Sequence, residues 1–161
     1  MIPREQFRAA LQAFPFVSID LLVRDPQGRV LVGWRANRTA KDCWFVPGSR
    51  IAKGERLPEA FRRITAFELG RPFELSQARA LGLYEHHYED NALEEPGLGT
   101  HYVVLAYELR LDASLDGLHR DQHARYRWMS DAELLADPEV HPNTRAYVLP
   151  EPPEFMLSRA R

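Results

Sequence analysis

The order of elements predicts an α/β (α+β) fold, a mixed sheet covered by helices on both faces. Three observations carry this. Ala80 to Tyr88 and His101 to Leu111 are long β-like runs, and the second, with Tyr102, Val103, Val104 and Tyr107, is the strongest strand signal in the chain. Phe16 to Val23 and Arg29 to Trp34 form an earlier pair of strand-like runs around a turn. Between the two pairs lies an amphipathic stretch that opens at Pro58 and stops at Gly70, with Pro72 just beyond. Helices interleaved with strands in this way cover each apolar face of a sheet, although the order of the strands stays open.

Taken along the chain, Arg4 to Ala13 reads as a short amphipathic helix carrying Phe7, Ala10 and Leu11, ended by Pro15. Asp25 to Gly28 is a turn that makes a hairpin of the first two strands. Arg35 to Asp42 is polar loop, and Trp44 to Val46 is a brief third strand before a Pro-Gly turn and a charged loop. Glu89 to Thr100 is an acidic loop with Pro96, Gly97 and Gly99. Asp116 to Arg125 is polar, without apolar periodicity, and reads as a second loop before a short strand from Tyr126 to Met129. Ser130 and Glu133 form a capping box that opens a helix. Asn143 to Leu149 reads as the last helix, and the proline-rich tail, 150–161, as irregular.

The 161 residues suit one domain with a substantial core, about two-thirds of the unfolded surface being buried at this size. A net charge of −2 gives no general nucleic-acid footprint. Only two of the 21 basic residues, Lys41 and Lys53, are lysines. Arginine suits bidentate recognition of phosphate, though a genomic bias gives the same excess. Cys43 is the only cysteine, which excludes an internal disulfide. The absence of a long apolar run or a signal peptide leads us to expect a cytoplasmic protein with no membrane partner.

One residue disturbs the central helix. Glu68 lies seven after Phe61 and four after Ile64, so it shares their buried azimuth. A buried carboxylate needs a partner, an arginine or a metal ion.

The stretch 44–71 resembles the Nudix box: Gly, five residues, Glu, seven residues, then Arg-Glu-apolar-x-Glu-Glu-x-Gly-apolar. Glu55, Arg63, Glu68 and Gly70 keep their places. Ser49 stands for the leading Gly, Ile64 and Phe67 for two glutamates, and Arg71 for the final apolar residue. If position 49 needs a left-handed backbone, Ser49 is strained by on the order of 1–3 kcal/mol. With two carboxylates gone, a multi-metal cluster on this helix is hard to build, while one hard cation remains feasible.

Further likeness is spread along the chain: Phe7, Val17 to Asp20, Trp44 to Gly48, His86 with Tyr88 and Asp90-Asn91, Thr100 to Leu105, Asp121 to His123, Tyr126 to Trp128, and Asn143 to Tyr147. The whole is similar to the GDP-mannose mannosyl hydrolase branch of the Nudix superfamily. That resemblance implies a Nudix-like α/β/α sandwich. It also implies hydrolysis of GDP-mannose or GDP-glucose by inverting attack of water at sugar C1, and a homodimer. It assigns one Mg²⁺ (or Mn²⁺) to the Gly48 carbonyl, Glu68 and Gln122, and the general base to His123. Arg35, Arg50 and Tyr102 would assist the departing GDP, and Asp20 and His86 would hold sugar hydroxyls. Arg63 reads as structural, pairing with Glu59 at i,i+4 or orienting Glu55 or Glu68. The rival readings are a pyrophosphatase cutting the P–O–P bond of a nucleotide sugar, and a binding protein without turnover, for which Ser49 is the best support.

Overall fold

The computed structural model describes residues 2–36, 39–111, 118 and 123–150, with backbone alone at 123 and 124. Gln122 and the tail, 151–161, lie outside the described residues, as does most of the expected loop 116–125.

The expected helix is present as α1 (Arg4–Ala13), with Phe7 buried beneath it. The paired runs become β1 (Phe16–Arg24) and β2 (Val30–Arg35). β3 (Trp44–Phe45) and β4 (Gly48–Arg50) follow. Then come α2 (Leu57–Leu69), β5 (Arg79–Tyr88) and β6 (Thr100–Arg110). β7 (His123–Met129), α3 (Asp131–Ala136) and α4 (Pro142–Ala146) complete the order. Among the described residues the sheet has seven strands; its main path runs β3-β2-β1-β6-β5, with β4 on β1 and β7 on β2.

The hairpin expectation needs correction. The turn forms, with Gly28 at φ 79° and the Arg29 amide donating to Asp25 Oδ1 at 2.8 Å. Yet β1 and β2 meet in register only at Arg24 and Val30. β1 runs parallel to β6 from Phe16↔Tyr102 to Arg24↔Arg110, and β4 takes its other edge from Ser18 to Asp20. With both edges of β1 engaged, β2 diverges to pair with β7 and β3.

The two core clusters use alternate faces of β1. Ile19, Leu21 and Val23 pack with Ala60, Phe61 and Ile64 of α2. Leu22 packs in the other cluster with Leu134 of α3 and Tyr147 after α4. This is the expected sandwich. Helix α2 holds because burying Phe61 and Ile64 is each worth roughly 1.5–3 kcal/mol. Gly70 stops it in the left-handed region at φ 74°, where a side chain would be strained. The Thr65 hydroxyl then accepts from the Phe73 amide at 2.9 Å and turns the chain back. The Ser130–Glu133 capping box opens α3 as expected. Helix α4 is shorter than expected and gives way after Ala146, four residues before Pro150. No helix among the described residues is long and apolar enough to cross a membrane.

Candidate functional site

The site is built around β4, a three-residue strand where the sequence suggested turn and loop. It lies antiparallel on β1, Ser18 opposite Arg50, Ile19 opposite Ser49 and Asp20 opposite Gly48. The Leu21 amide donating to Pro47 O (2.8 Å) and the Ile51 amide donating to Val17 O (2.9 Å) extend the ladder. Gly48 is required for space: a Cβ there would stand 2.5 Å from the Ile19 carbonyl and 2.6 Å from Asp20 Oδ1. Ser49 sits in the strand, and the left-handed non-glycine residues among those described are Ala40, Asp42 and Glu94. The expected strain at Ser49 is therefore absent.

Above this strand pair opens a cleft of about 630 Å³. Asp20, Arg35, Gly48, Arg50, His86 and Tyr102, six of the nine residues singled out in the sequence, line it. Strand register gathers them, because β5–β6 sets His86 opposite Tyr102 and β1–β6 sets Phe16 beside Tyr102. Glu68 is not part of the lining. It is 1% exposed on α2, and its charge is felt by Asp20 and Tyr126. Gln122 lies outside the described residues. The His123 backbone opens β7 and pairs with Arg35, so residues 123–125 are strand where loop was expected.

Asp20 is 7% exposed, and burial is the main force lifting its carboxyl to about 7. A hydrogen bond from Tyr147 and the nearby Arg35 oppose that rise, while Glu68 adds to it. Tyr147 Oη stands 2.6 Å from Asp20 Oδ2 and 3.3 Å from His86 Nε2. Burial drives His86 down to about 3, so its imidazole is neutral at physiological pH. When Asp20 is ionised, Tyr147 donates to it. The phenol oxygen is then left to accept from His86 Nε2–H, which fixes that tautomer. Sequence reading gave Tyr147 no role. The available signal was a tyrosine followed by Val148 and Leu149 at the end of a short helix, since a buried phenol needs a polar partner.

The arginines are held differently. Arg35 donates from Nη2 to Thr39 O at 3.2 Å, while its buried Nε has no hydrogen-bond partner among the described residues. The Arg50 guanidinium lies 4.8 Å over the Phe7 ring and 5.3 Å from that of Phe16, and those two rings stack at 5.4 Å. Helix α1 thus fixes Arg50 through Phe7. Burial raises the Tyr102 hydroxyl, which keeps its proton and remains a donor at neutral pH. Burial also raises the Cys43 thiol to about 11, which makes it a poor nucleophile.

Arg63 does not pair with Glu59, whose carboxylate instead accepts from the Arg56 amide at 3.2 Å. It forks onto Glu55 with two 2.7 Å bonds and donates to the Arg50 carbonyl at 2.9 Å. The Arg63 hydrogen bonds to Glu55 are the first cause holding that carboxyl down at about 2. The lowered carboxyl favours the fold above the ordinary pKa near 4.5, and this contribution is lost as pH falls through about 2. Arg63→Ala is expected to lower stability at pH 7 and to flatten the stability–pH curve between about 4.5 and 2. Urea unfolding across that window checks both.

The donor set fits a hard divalent cation. A carbonyl at Gly48 and a carboxylate at Glu68 would offer it oxygen donors. Glu68 is buried on α2, close enough to the cleft for its charge to add to the rise at Asp20.

A NUDIX domain family model matches residues 15–151. The low-salt glycan biosynthesis protein Agl8 of Haloferax volcanii is 37% identical over 128 residues, 78% of each chain. The crystal structure of a MutT protein from Methanosarcina mazei aligns with TM-score 0.66 at 20% identity, covering 84% of this chain and 92% of that one. A MutT NUDIX hydrolase from Burkholderia pseudomallei aligns with TM-score 0.65 at 23% identity, covering 84% and 96%. At those identities the two structures speak to the fold alone.

Proposed function

The chain belongs to the NUDIX family, and on that premise we propose that this hydrolase cleaves a nucleoside diphosphate sugar, GDP-mannose or GDP-glucose, by inverting attack of water at sugar C1. The observation that carries the reading is the make-up of one cleft. Two arginines suited to a diphosphate line it together with Asp20 and His86, which suit sugar hydroxyls. A second observation supports carbon over phosphorus as the atom attacked. On α2, Ile64 is in the core and Phe67 is 39% exposed at the surface, so Glu68 is the carboxylate kept from that part of the box. The relative named for glycan biosynthesis is in keeping with a sugar substrate.

In this reading the Gly48 carbonyl, Glu68 and Gln122 hold Mg²⁺ or Mn²⁺, which when bound neutralises diphosphate charge. Arg35 and Arg50 stabilise the charge that grows on GDP as the C1–O bond breaks, and Tyr102 donates to the leaving oxygen. His123 takes the proton from water. A stabilised leaving group needs no acid, so one base suffices for inversion. We include the homodimer in the proposal; the exposed Ile2 and Phe14 flanking α1 and the nearby Val17 give it an apolar surface.

Hydrolysis of GDP-mannose in H₂¹⁸O tests the proposal. The expected label is in the sugar. Label in a phosphate overturns attack at carbon, with GMP and sugar 1-phosphate as products establishing P–O–P cleavage instead, and binding of GDP-mannose without product under Mg²⁺ or Mn²⁺ would favour a binding protein.

A further inference from the structure

We propose that Glu85, His87 and His101 form a second metal site, for an imidazole-preferring ion of the Zn²⁺ class, on the sheet face opposite the cleft. The placement follows from strand alternation. His86 and Tyr102 are a cross-strand pair that lines the cleft. Their sequence neighbours His87 and His101 are the next cross-strand pair, so they project from the other face. Glu85 lies two before His87 on the same strand and shares that face.

One ligand atom from each of the three residues falls within 4.8 Å of the other two. The imidazoles stack at 4.2 Å with planes 23° apart, so both nitrogen edges are carried on adjacent strands. His101 Nε2 is buried without a hydrogen bond, at 3.3 Å from Glu85 Oε1. A buried imidazole nitrogen without a hydrogen bond, beside a second imidazole and a carboxylate, is placed to bind a cation. Two imidazoles and one carboxylate suit Zn²⁺ better than Mg²⁺, and three protein ligands leave a position for water. The oxygen donors proposed for Mg²⁺ have the opposite preference, so the two sites separate by ion. The inference stands independently of the cleft's reaction. A bound ion here would pin β5 to β6 beside the pair that carries His86 and Tyr102.

The rival reading is a plain ion pair between protonated His101 and Glu85. Equilibrium dialysis of tag-free protein against Zn²⁺, with Mg²⁺ in large excess to fill any hard-cation site, separates the two. One Zn²⁺ per chain is expected, with a Zn²⁺-dependent rise in Tm. His87→Ala and His101→Ala are each expected to weaken Zn²⁺ binding by more than about tenfold, since even outer-shell changes at metal sites cost about 10–100-fold. Glu85→Gln keeps the size of an exposed side chain, so it serves if a histidine variant fails to fold, and it is expected to weaken binding likewise. Wild-type protein that retains no Zn²⁺ overturns the proposal. So do folded variants that bind Zn²⁺ as the wild type does.

Discussion

Glu68→Gln is expected to abolish the Mg²⁺-dependent rise in Tm and to cut turnover of GDP-mannose by at least about 10²-fold. A cation at a reacting diphosphate supplies several kcal/mol of charge stabilisation, and about 1.4 kcal/mol is tenfold in rate. The stability readout is the sharper one. At Mg²⁺ about 100-fold above its Kd, binding raises Tm on the order of 5–10 °C for a chain of this size. Glu68 is 1% exposed, so the substitution that tests it has to keep its shape. Glutamine has nearly the same volume and no charge. The variant should therefore fold as the wild type does and should ignore Mg²⁺. If Glu68 instead serves only its neighbours in the protein, the wild type shows no Mg²⁺-dependent rise or the variant keeps it, and the metal assignment falls. Thermal melts of both proteins with and without Mg²⁺ decide it.

The parts legible in the sequence are those fixed by local chemistry. Pro58, Gly70 and the spacing of Phe61, Ile64 and Glu68 announce α2, and α2 buries that face. Ser130 and Glu133 announce α3. What was not legible depends on distant partners. The turn at Asp25–Gly28 fixes only its first pair, Arg24 and Val30; which strands β1 takes beyond that is decided by β6 and β4. Gly48-Ser-Arg50 has neither alternation nor strand propensity and becomes a strand because β1 presents an edge to it. His123 to Arg125 has no apolar residue beyond an alanine, yet it extends β7 along β2. The cleft shows the same division. Arg35, His86 and Tyr102 lie far apart in sequence and converge through register, so the resemblance supplied them and composition did not. Tyr147 was missed because its tie to Asp20 spans 127 residues of sequence.

His123→Gln is the second large effect: kcat is expected to fall by about 10²–10⁴, the usual worth of a positioned general base, with the Mg²⁺-dependent rise in Tm unchanged. The backbone places residue 123 opposite Arg35, which lines the cleft, just past an irregularity between Gly33 and Arg35. Such bulges turn a side chain away from regular alternation and are common beside active sites. Two other groups in the cleft compete for the role. His86 is held near 3 and is too weak a base at neutral pH. Asp20, lifted to about 7, is basic enough, yet its Oδ2 is occupied by Tyr147 and its Oδ1 faces Gly48. An unperturbed imidazole titrates near 6.5, the range a general base needs at neutral pH, which is why the proposal gives the role to His123. Single-turnover rates of His123→Gln and Asp20→Asn, each at saturating substrate and Mg²⁺, separate the candidates. If His123 is the base, its variant loses the chemical step and keeps the Mg²⁺ response, while Asp20→Asn chiefly weakens substrate binding. If His123→Gln reacts at close to the wild-type rate and Asp20→Asn does not, the proton passes to Asp20, and the pH dependence of the step would then follow a carboxyl whose basicity the fold itself has raised.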